Sequence, residues 1–195
     1  MDAPLADPLK QFSDWFERAQ KTIIDKPNAM TLSTCDGSGR PSARIVLLSS
    51  FSDHGFVFHT NYLSDKGRQM DSNDQVSLLF WWDELGYQVR IQGKVEKTSA
   101  ADSDAYFAGR PRGSQIGAWA SEQSRSIQDR KVLDQRVIDF TEQFHGKPVP
   151  RPPHWGGYIV RPDYFEFWLN RDDRLHDRFA YKLSEGGWVW SRLAP

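Results

Sequence analysis

The sequence predicts a mainly β domain with inserted helices, an α+β chain whose strands close or half-close into a small barrel. Residues 87–98 alternate Val89, Ile91, Gly93 and Val95 with Arg90, Gln92, Lys94 and Glu96, the pattern of a sheet with one buried face. Short β-branched and aromatic runs recur between turns bearing Gly and Asp, giving roughly six to eight strands, a number suited to a small barrel. Helical spacing is confined to segments placed before and between those runs.

The first segment, residues 7–24, reads as an amphipathic helix. Asp7 caps it, Pro8 suits its first turn, and Leu9, Phe12, Trp15, Phe16 and Ala19 share one face. Strands follow at 29–35 and 40–50, joined by the turn Asp36-Gly37-Ser38-Gly39, then at 56–60 after a turn around Asp53-His54-Gly55. Ser64 caps a short helix through Met70. Strands at 75–82 and 87–98 precede helices at 99–108, 114–120 and 127–144. The proline-rich stretch 148–153 must be an extended loop. Strands at 157–169, 175–183 and 188–193 close the chain, the last two joined at Gly186-Gly187.

With 195 residues the chain suits one domain, here spanning 1–195, with residues 1–6 expected to be disordered. The 25 basic and 26 acidic side chains balance, so no global attraction to nucleic acid or an anionic membrane arises. Cys35 is the sole cysteine, which excludes an intrachain disulfide and fits a reducing compartment. The start lacks a basic, apolar leader and no apolar run approaches spanning length, so the expected location is the cytoplasm. Eight Trp residues point to a ring-rich core and interface, with some rings lining a flat ligand's pocket. No dinucleotide fingerprint, P-loop, paired cysteines, zinc motif or nucleophile elbow occurs, and no metal is expected.

Three clusters stand out against this neutral background. Arg44, Thr60, Ser64, Lys66 and Arg68 offer guanidinium, ammonium and hydroxyl groups, and the helix after Ser64 offers free N–H groups, a phosphate-site composition. Arg110-Pro111-Arg112-Gly113-Ser114-Gln115 sets two arginines before a Ser that suits a helix cap, a second phosphate-site composition. In a strand, Arg174, His176 and Arg178 would share one face, an arrangement favoured only opposite an anion or a π-system. Scattered surface charge and a capped loop remain the alternatives for the first two clusters.

Several longer runs resemble pyridoxamine 5'-phosphate oxidases: Arg44-Ile45-Val46-Leu47-Leu48, Arg110 through Trp119, Glu122-Gln123-Ser124, Phe165-Glu166-Phe167-Trp168, Arg174 through Phe179 and Trp188 through Pro195. The resemblance runs from Asp7 onward. It implies an FMN-binding split β-barrel working as a homodimer with flavin at the subunit interface, and a C-terminal dimerisation and substrate segment at about 150–195. It implies oxidation of pyridoxine or pyridoxamine 5'-phosphate to pyridoxal 5'-phosphate, with oxygen reduced to hydrogen peroxide.

Carried over by motif, FMN would be held by Arg44, Ile45, Val46, Leu47, Leu48, Ser49, His59, Thr60 and Lys66, with Gln88, Gln123, Ser124, Trp168 and Arg178 completing the site. Tyr106, Arg110 and Ser114 would grip the substrate phosphate. The segment Arg174-Leu175-His176 would cover the pyridine ring, with Arg174 and His176 steering the reacting group.

Three positions depart from the family pattern. Ser49 stands where the family usually has Lys, His59 where it has Tyr, and Asp65 where it has Arg. A carboxylate at close range to a flavin phosphate costs on the order of one to a few kcal/mol, unless it points outward or Arg68 compensates. The basic, tyrosine-bearing arm before the first helix is missing. The flavin oxidases of phenazine biosynthesis likewise lack that Lys, and Lys66-Gly67-Arg68 resembles their sequence. The alternatives are therefore an oxidase of another planar aromatic, and a non-catalytic FMN or B6-phosphate binding protein. The retained Arg110-to-Gln115 run favours a phosphorylated substrate.

Overall fold

The computed structural model describes residues 3–195; Met1 and Asp2 lie outside the described residues. Among these, eight strands and five α-helices form: α1 Pro8–Thr22, β1 Ala29–Cys35, β2 Pro41–Ser52, β3 Gly55–Asn61, α2 Asp65–Ser72, β4 Gln75–Trp82, β5 Tyr87–Lys97, α3 Ala100–Ala108, α4 Arg112–Ala120, α5 Arg130–Gln143, β6 Trp155–Leu169, β7 Asp177–Ser184 and β8 Gly187–Arg192.

Every strand pairing is antiparallel. The order is β3-β2-β1-β4-β5-β6-β7-β8, and an added β3–β6 pairing closes the first six strands into a barrel. The 15-residue β6 makes this possible. Its first part pairs with β3 (Phe56↔Val160, Asn61↔Trp155) and its last part with β7 (Tyr164↔Lys182, Leu169↔Asp177). The predicted α+β barrel is the observed fold.

Local chemistry explains the joints. Asp36 accepts hydrogen bonds from the N–H groups of Ser38 (2.9 Å) and Arg40 (3.0 Å), fixing the β1–β2 turn. Gly55, at φ +135°, opens β3; a Cβ there would lie 2.2 Å from the Val160 carbonyl oxygen. Asp7 accepts from the Leu9 N–H at 2.8 Å and Pro8 begins α1. That helix drives Phe12 and Trp15 wholly out of solvent. The Phe12 ring lies 4.9 Å from those of Phe51 and Phe56, and Trp15 stacks 4.0 Å from Tyr87. Burying one such phenylalanine contributes about 1.5–3 kcal/mol. A second cluster, with Phe107, Ile116, Phe144, Val149 and Trp155, packs α3, α4 and α5 beside β6.

Several expectations need correction. Helix α1 ends at Thr22, leaving Ile24 fully exposed, and α5 starts at Arg130 behind the Asp129 cap. Ser114 caps nothing: Arg112 and Gly113 are already helical, and Pro111 occupies the cap position of α4. The predicted strand at 175–183 begins only at Asp177. Asp172–Arg174 form a short 3-10 turn in which Asp173 and Arg174 have φ of +54° and +61°. Arg174, His176 and Arg178 therefore do not share a strand face. Part of the N-terminal disorder expectation falls on Met1 and Asp2. Beyond them, Leu5 is held on both sides: its N–H donates to Gln11 and its carbonyl accepts from the Tyr181 hydroxyl at 2.6 Å. No helix among the described residues is long and apolar enough to cross a membrane.

Candidate active site

A cleft of two joined lobes, about 430 and 380 Å³, runs from the middle of β2 to α4. His59, Thr60, Arg110, Gln123 and Trp155 border both lobes.

Arg44 and Lys66 build the first lobe. Strand β3 begins pairing with β2 only at Leu48↔Phe58, so the Ile45–Leu47 edge of β2 faces the cleft instead of a strand. The Arg44 guanidinium donates to the Leu32 carbonyl (3.1 Å), Thr34 Oγ1 (2.6 Å) and Gln69 Oε1 (3.2 Å). Lys66 is buried; its Nζ donates to Ser64 Oγ (3.4 Å) and Gln123 Oε1 (3.3 Å), an oxygen that also accepts from Thr60 at 3.2 Å. Burial, then the Arg44 charge, pulls Lys66 below its ordinary pKa, and burial lowers Arg44. Two cations thus meet with neutral hydrogen-bond partners, an arrangement that favours an anion between them.

The rest of the first predicted cluster divides. Ser64 sits behind Lys66, and its hydroxyl accepts from the Gly67 N–H, so that donor is already used. Arg68 ion-pairs with exposed Asp65; that carboxylate is not part of the cleft lining, but its charge acts on Arg44 and Lys66 against the lowering by burial. Leu48 does not border the cleft: it is buried in the core, and Asn28 satisfies its backbone on both sides.

Arg110 lies where the two lobes meet. Its guanidinium carbon lies 4.5 Å above the Trp155 ring, and its Nη1 is buried with no hydrogen-bond partner. Burial lowers its pKa. An orphaned guanidinium donor costs free energy unless a ligand accepts from it. Tyr106 lies on the same side of α3, and Ser114, in the first turn of α4, borders the second lobe. A β-bulge between Leu48 and Ser50 turns Ser49 toward β3, and its hydroxyl lies 2.8 Å from His59 Nδ1. The imidazole stacks on Tyr106 at 3.6 Å and 6°. Burial, with Arg110 adding to it, pushes His59 down to a pKa of about 4.

The other predicted residues lie elsewhere on the chain. Register places Trp81, Gln88, Trp168 and Arg178 in one row across β4, β5, β6 and β7. Glu166 in the adjacent row, only 3% exposed, receives Arg178 Nε at 2.9 Å and Arg90 at 2.7 Å. His176 packs 4.4 Å from Trp168, while Leu175 is exposed. Ser124 is exposed beside Gln123 with φ +69°, a strained value for a non-glycine residue. Sequence reasoning missed Trp155, Gln69 and Thr34, whose roles depend on pairings distant in the chain.

The family profile "Pyridoxamine 5'-phosphate oxidase" matches residues 16–144, and "Pyridoxine 5'-phosphate oxidase C-terminal dimerisation region" matches residues 155–195. The chain belongs to the pyridoxamine 5'-phosphate oxidase family. This is a family of FMN-dependent oxidoreductases. The chain is 52% identical over 190 residues to a pyridoxine/pyridoxamine 5'-phosphate oxidase of Acaryochloris marina, covering 97% of this chain and 87% of that one. It is 54% identical over 191 residues to one of Bordetella avium, with coverage of 97% and 90%. Among solved structures it resembles PhzG of Burkholderia lata in complex with tetrahydrophenazine-1-carboxylic acid: TM-score 0.93, 31% identity, covering 100% of this chain and 95% of that one. Within the family frame, the row Trp168–Arg178 falls in the dimerisation region, and the Arg44–Lys66 lobe falls in the oxidase region.

Proposed function

We propose that this chain is an FMN-dependent oxidase. It converts pyridoxine 5'-phosphate or, with water consumed and ammonia released, pyridoxamine 5'-phosphate to pyridoxal 5'-phosphate, using oxygen as electron acceptor and releasing hydrogen peroxide. The observation that carries this reading is one cleft with two cationic positions, Arg44 with Lys66 and Arg110 apart from them, the last with a buried donor lacking a partner. Two anchored phosphates fix two flat rings against each other, and that positioning is the protein's main contribution to hydride transfer.

Arg44, Lys66 and Thr60 would hold the flavin phosphate, with the Ile45–Leu47 edge, Ser49, Gln123 and Ser124 beside it. Tyr106, Arg110 and Ser114 would hold the substrate phosphate. When bound, FMN supplies the redox capacity, taking a hydride from the substrate carbon and passing electrons to oxygen. Arg174 and His176 would steer the reacting group. The Arg171 N–H donates to His176 Nδ1 at 3.2 Å, which leaves the proton of the neutral imidazole on Nε2, a donor for substrate.

Gln88, Trp168, Arg174, Leu175, His176 and Arg178 do not border the cleft of their own chain, so we read the working form as a homodimer in which a second copy supplies them. The half-exposed Trp81 and exposed Ile45, Leu47 and Leu175 supply apolar surface for that contact. The likeness to PhzG favours a second reading, oxidation of a planar aromatic acid; the higher identity to proteins named pyridoxine/pyridoxamine 5'-phosphate oxidase, 52–54% against 31%, favours the first. Protein loaded with FMN and mixed in air with pyridoxine 5'-phosphate should yield pyridoxal 5'-phosphate absorbance with equimolar peroxide. Flavin-loaded protein giving neither product would refute oxidation of a B6 phosphate and leave a binding protein or an oxidase of another substrate.

A further inference from the structure

His59 and Trp155 are brought together by the β3–β6 pairing, in which His59 stands opposite Gly157 and Asn61 opposite Trp155. The two rings lie 5.3 Å apart and only 16° from parallel. A side chain at 157 would crowd this arrangement, since its Cβ would lie 3.1 Å from His59 Nε2 and 2.4 Å from Thr98 Oγ1. On these rings rest the two groups that α3 and its end present. Tyr106 is stacked on His59 at 3.6 Å, and the Arg110 guanidinium lies 4.5 Å above Trp155. The bulged Ser49 holds the far edge of the imidazole through Nδ1 at 2.8 Å.

We propose that His59, fixed by Ser49, is the positioning residue for the phosphate-binding pair Tyr106 and Arg110. With Trp155 it forms a flat floor that sets where both donors stand, without itself touching the phosphate. This rests on the functional reading above and moves His59 from the flavin's contacts to the substrate's support. The physical reason is orientation. Tyr106 is 43% exposed, and an exposed ring is free to change rotamer unless something packs against its face. A parallel neutral ring at stacking distance restrains it and adds no charge beside Arg110. A cation at the same place would repel the Arg110 guanidinium. Burial keeps the imidazole in its neutral form at neutral pH, which is consistent with this role.

The test uses FMN-loaded protein and phenyl phosphate, a flat phosphate ester that cannot be oxidised, titrated calorimetrically. His59→Phe and His59→Leu have similar bulk but differ in flatness. Phe, which keeps the flat face but loses the Ser49 contact, should weaken phenyl phosphate affinity by about threefold, whereas Leu, which loses both, should weaken it at least about tenfold. Ser49→Ala, which frees the imidazole edge, should weaken it by about threefold, a net hydrogen bond's worth at the low end. KM for pyridoxine 5'-phosphate should follow the same order in the two His59 variants, with kcat nearly constant. Equal phenyl phosphate affinity in the Phe and Leu variants would overturn the proposal. So would a Leu variant that loses flavin and phenyl phosphate in equal measure, since His59 would then support the whole cleft. If wild-type protein bound phenyl phosphate but oxidised no pyridoxine 5'-phosphate, the B6-phosphate oxidase reading would fail, and the Phe–Leu difference would still decide this proposal.

Discussion

Replacing Arg110 by alanine removes the one cleft cation whose donor is buried without a partner. The guanidinium carbon lies 4.5 Å above the Trp155 ring, and burial lowers its pKa. A substrate phosphate would accept at least one charge-assisted hydrogen bond from it, worth about 1.5–3 kcal/mol. At 1.4 kcal/mol per decade, KM for pyridoxine 5'-phosphate should rise about 10- to 150-fold. The flavin phosphate is assigned to Arg44 and Lys66, so FMN content should change little. The assay is steady-state oxidation in air across substrate concentration, paired with the flavin-to-protein absorbance ratio. Arg110→Lys should recover only part of the loss, because an ammonium lacks the planar fork that lies on Trp155. Equal losses of flavin and of substrate affinity in Arg110→Ala would refute the assignment of two separate phosphate positions.

Other perturbations probe the remaining links. Lys66→Met should raise the FMN dissociation constant about 10- to 100-fold, read by fluorescence titration, from loss of one charge-assisted contact. Arg174→Ala should lower turnover without releasing flavin, and an unchanged rate would remove Arg174 from the chemistry. Trp81→Glu, on the row of outward residues shared with Trp168, should give monomers in sedimentation and flavin-poor protein. His59 is held at about 4 against an ordinary 6.5. Its unfolded form therefore binds a proton between those values while the folded form does not, so folding stability should fall as pH drops from 6.5 to 4. The change is at most about 3 kcal/mol, and it should vanish from the unfolding curves of His59→Phe.

Much of the barrel was legible because its signals are local. The alternation of residues 87–98, the Asp36 turn and the Asp7 cap each act within a few residues, and each stands where expected. The same holds for Ser64, which caps α2. Motif order also marked which residues gather at the cleft, from Arg44 to Arg110. What failed was inference from spacing alone. Alternation placed Arg174, His176 and Arg178 on one face, but positive φ at Asp173 and Arg174 breaks the strand before Asp177. Ser114 looked like a cap because its hydroxyl suits one, yet Pro111 already fixes the helix start. Trp155, the floor beneath Arg110, was invisible because its partners come from β3 and α3, far away in the chain. Asp65 resembled a defect until its exposed pairing with Arg68 came into view.

A crystal structure of the protein with FMN and pyridoxal 5'-phosphate tests the central claim most directly. The account predicts two phosphates in one cleft, the flavin's against Arg44 and Lys66 and the substrate's against Arg110 and Tyr106, with the two rings face to face. Either phosphate bound away from its assigned cations, or an Arg110 side chain swung out to solvent, would contradict it.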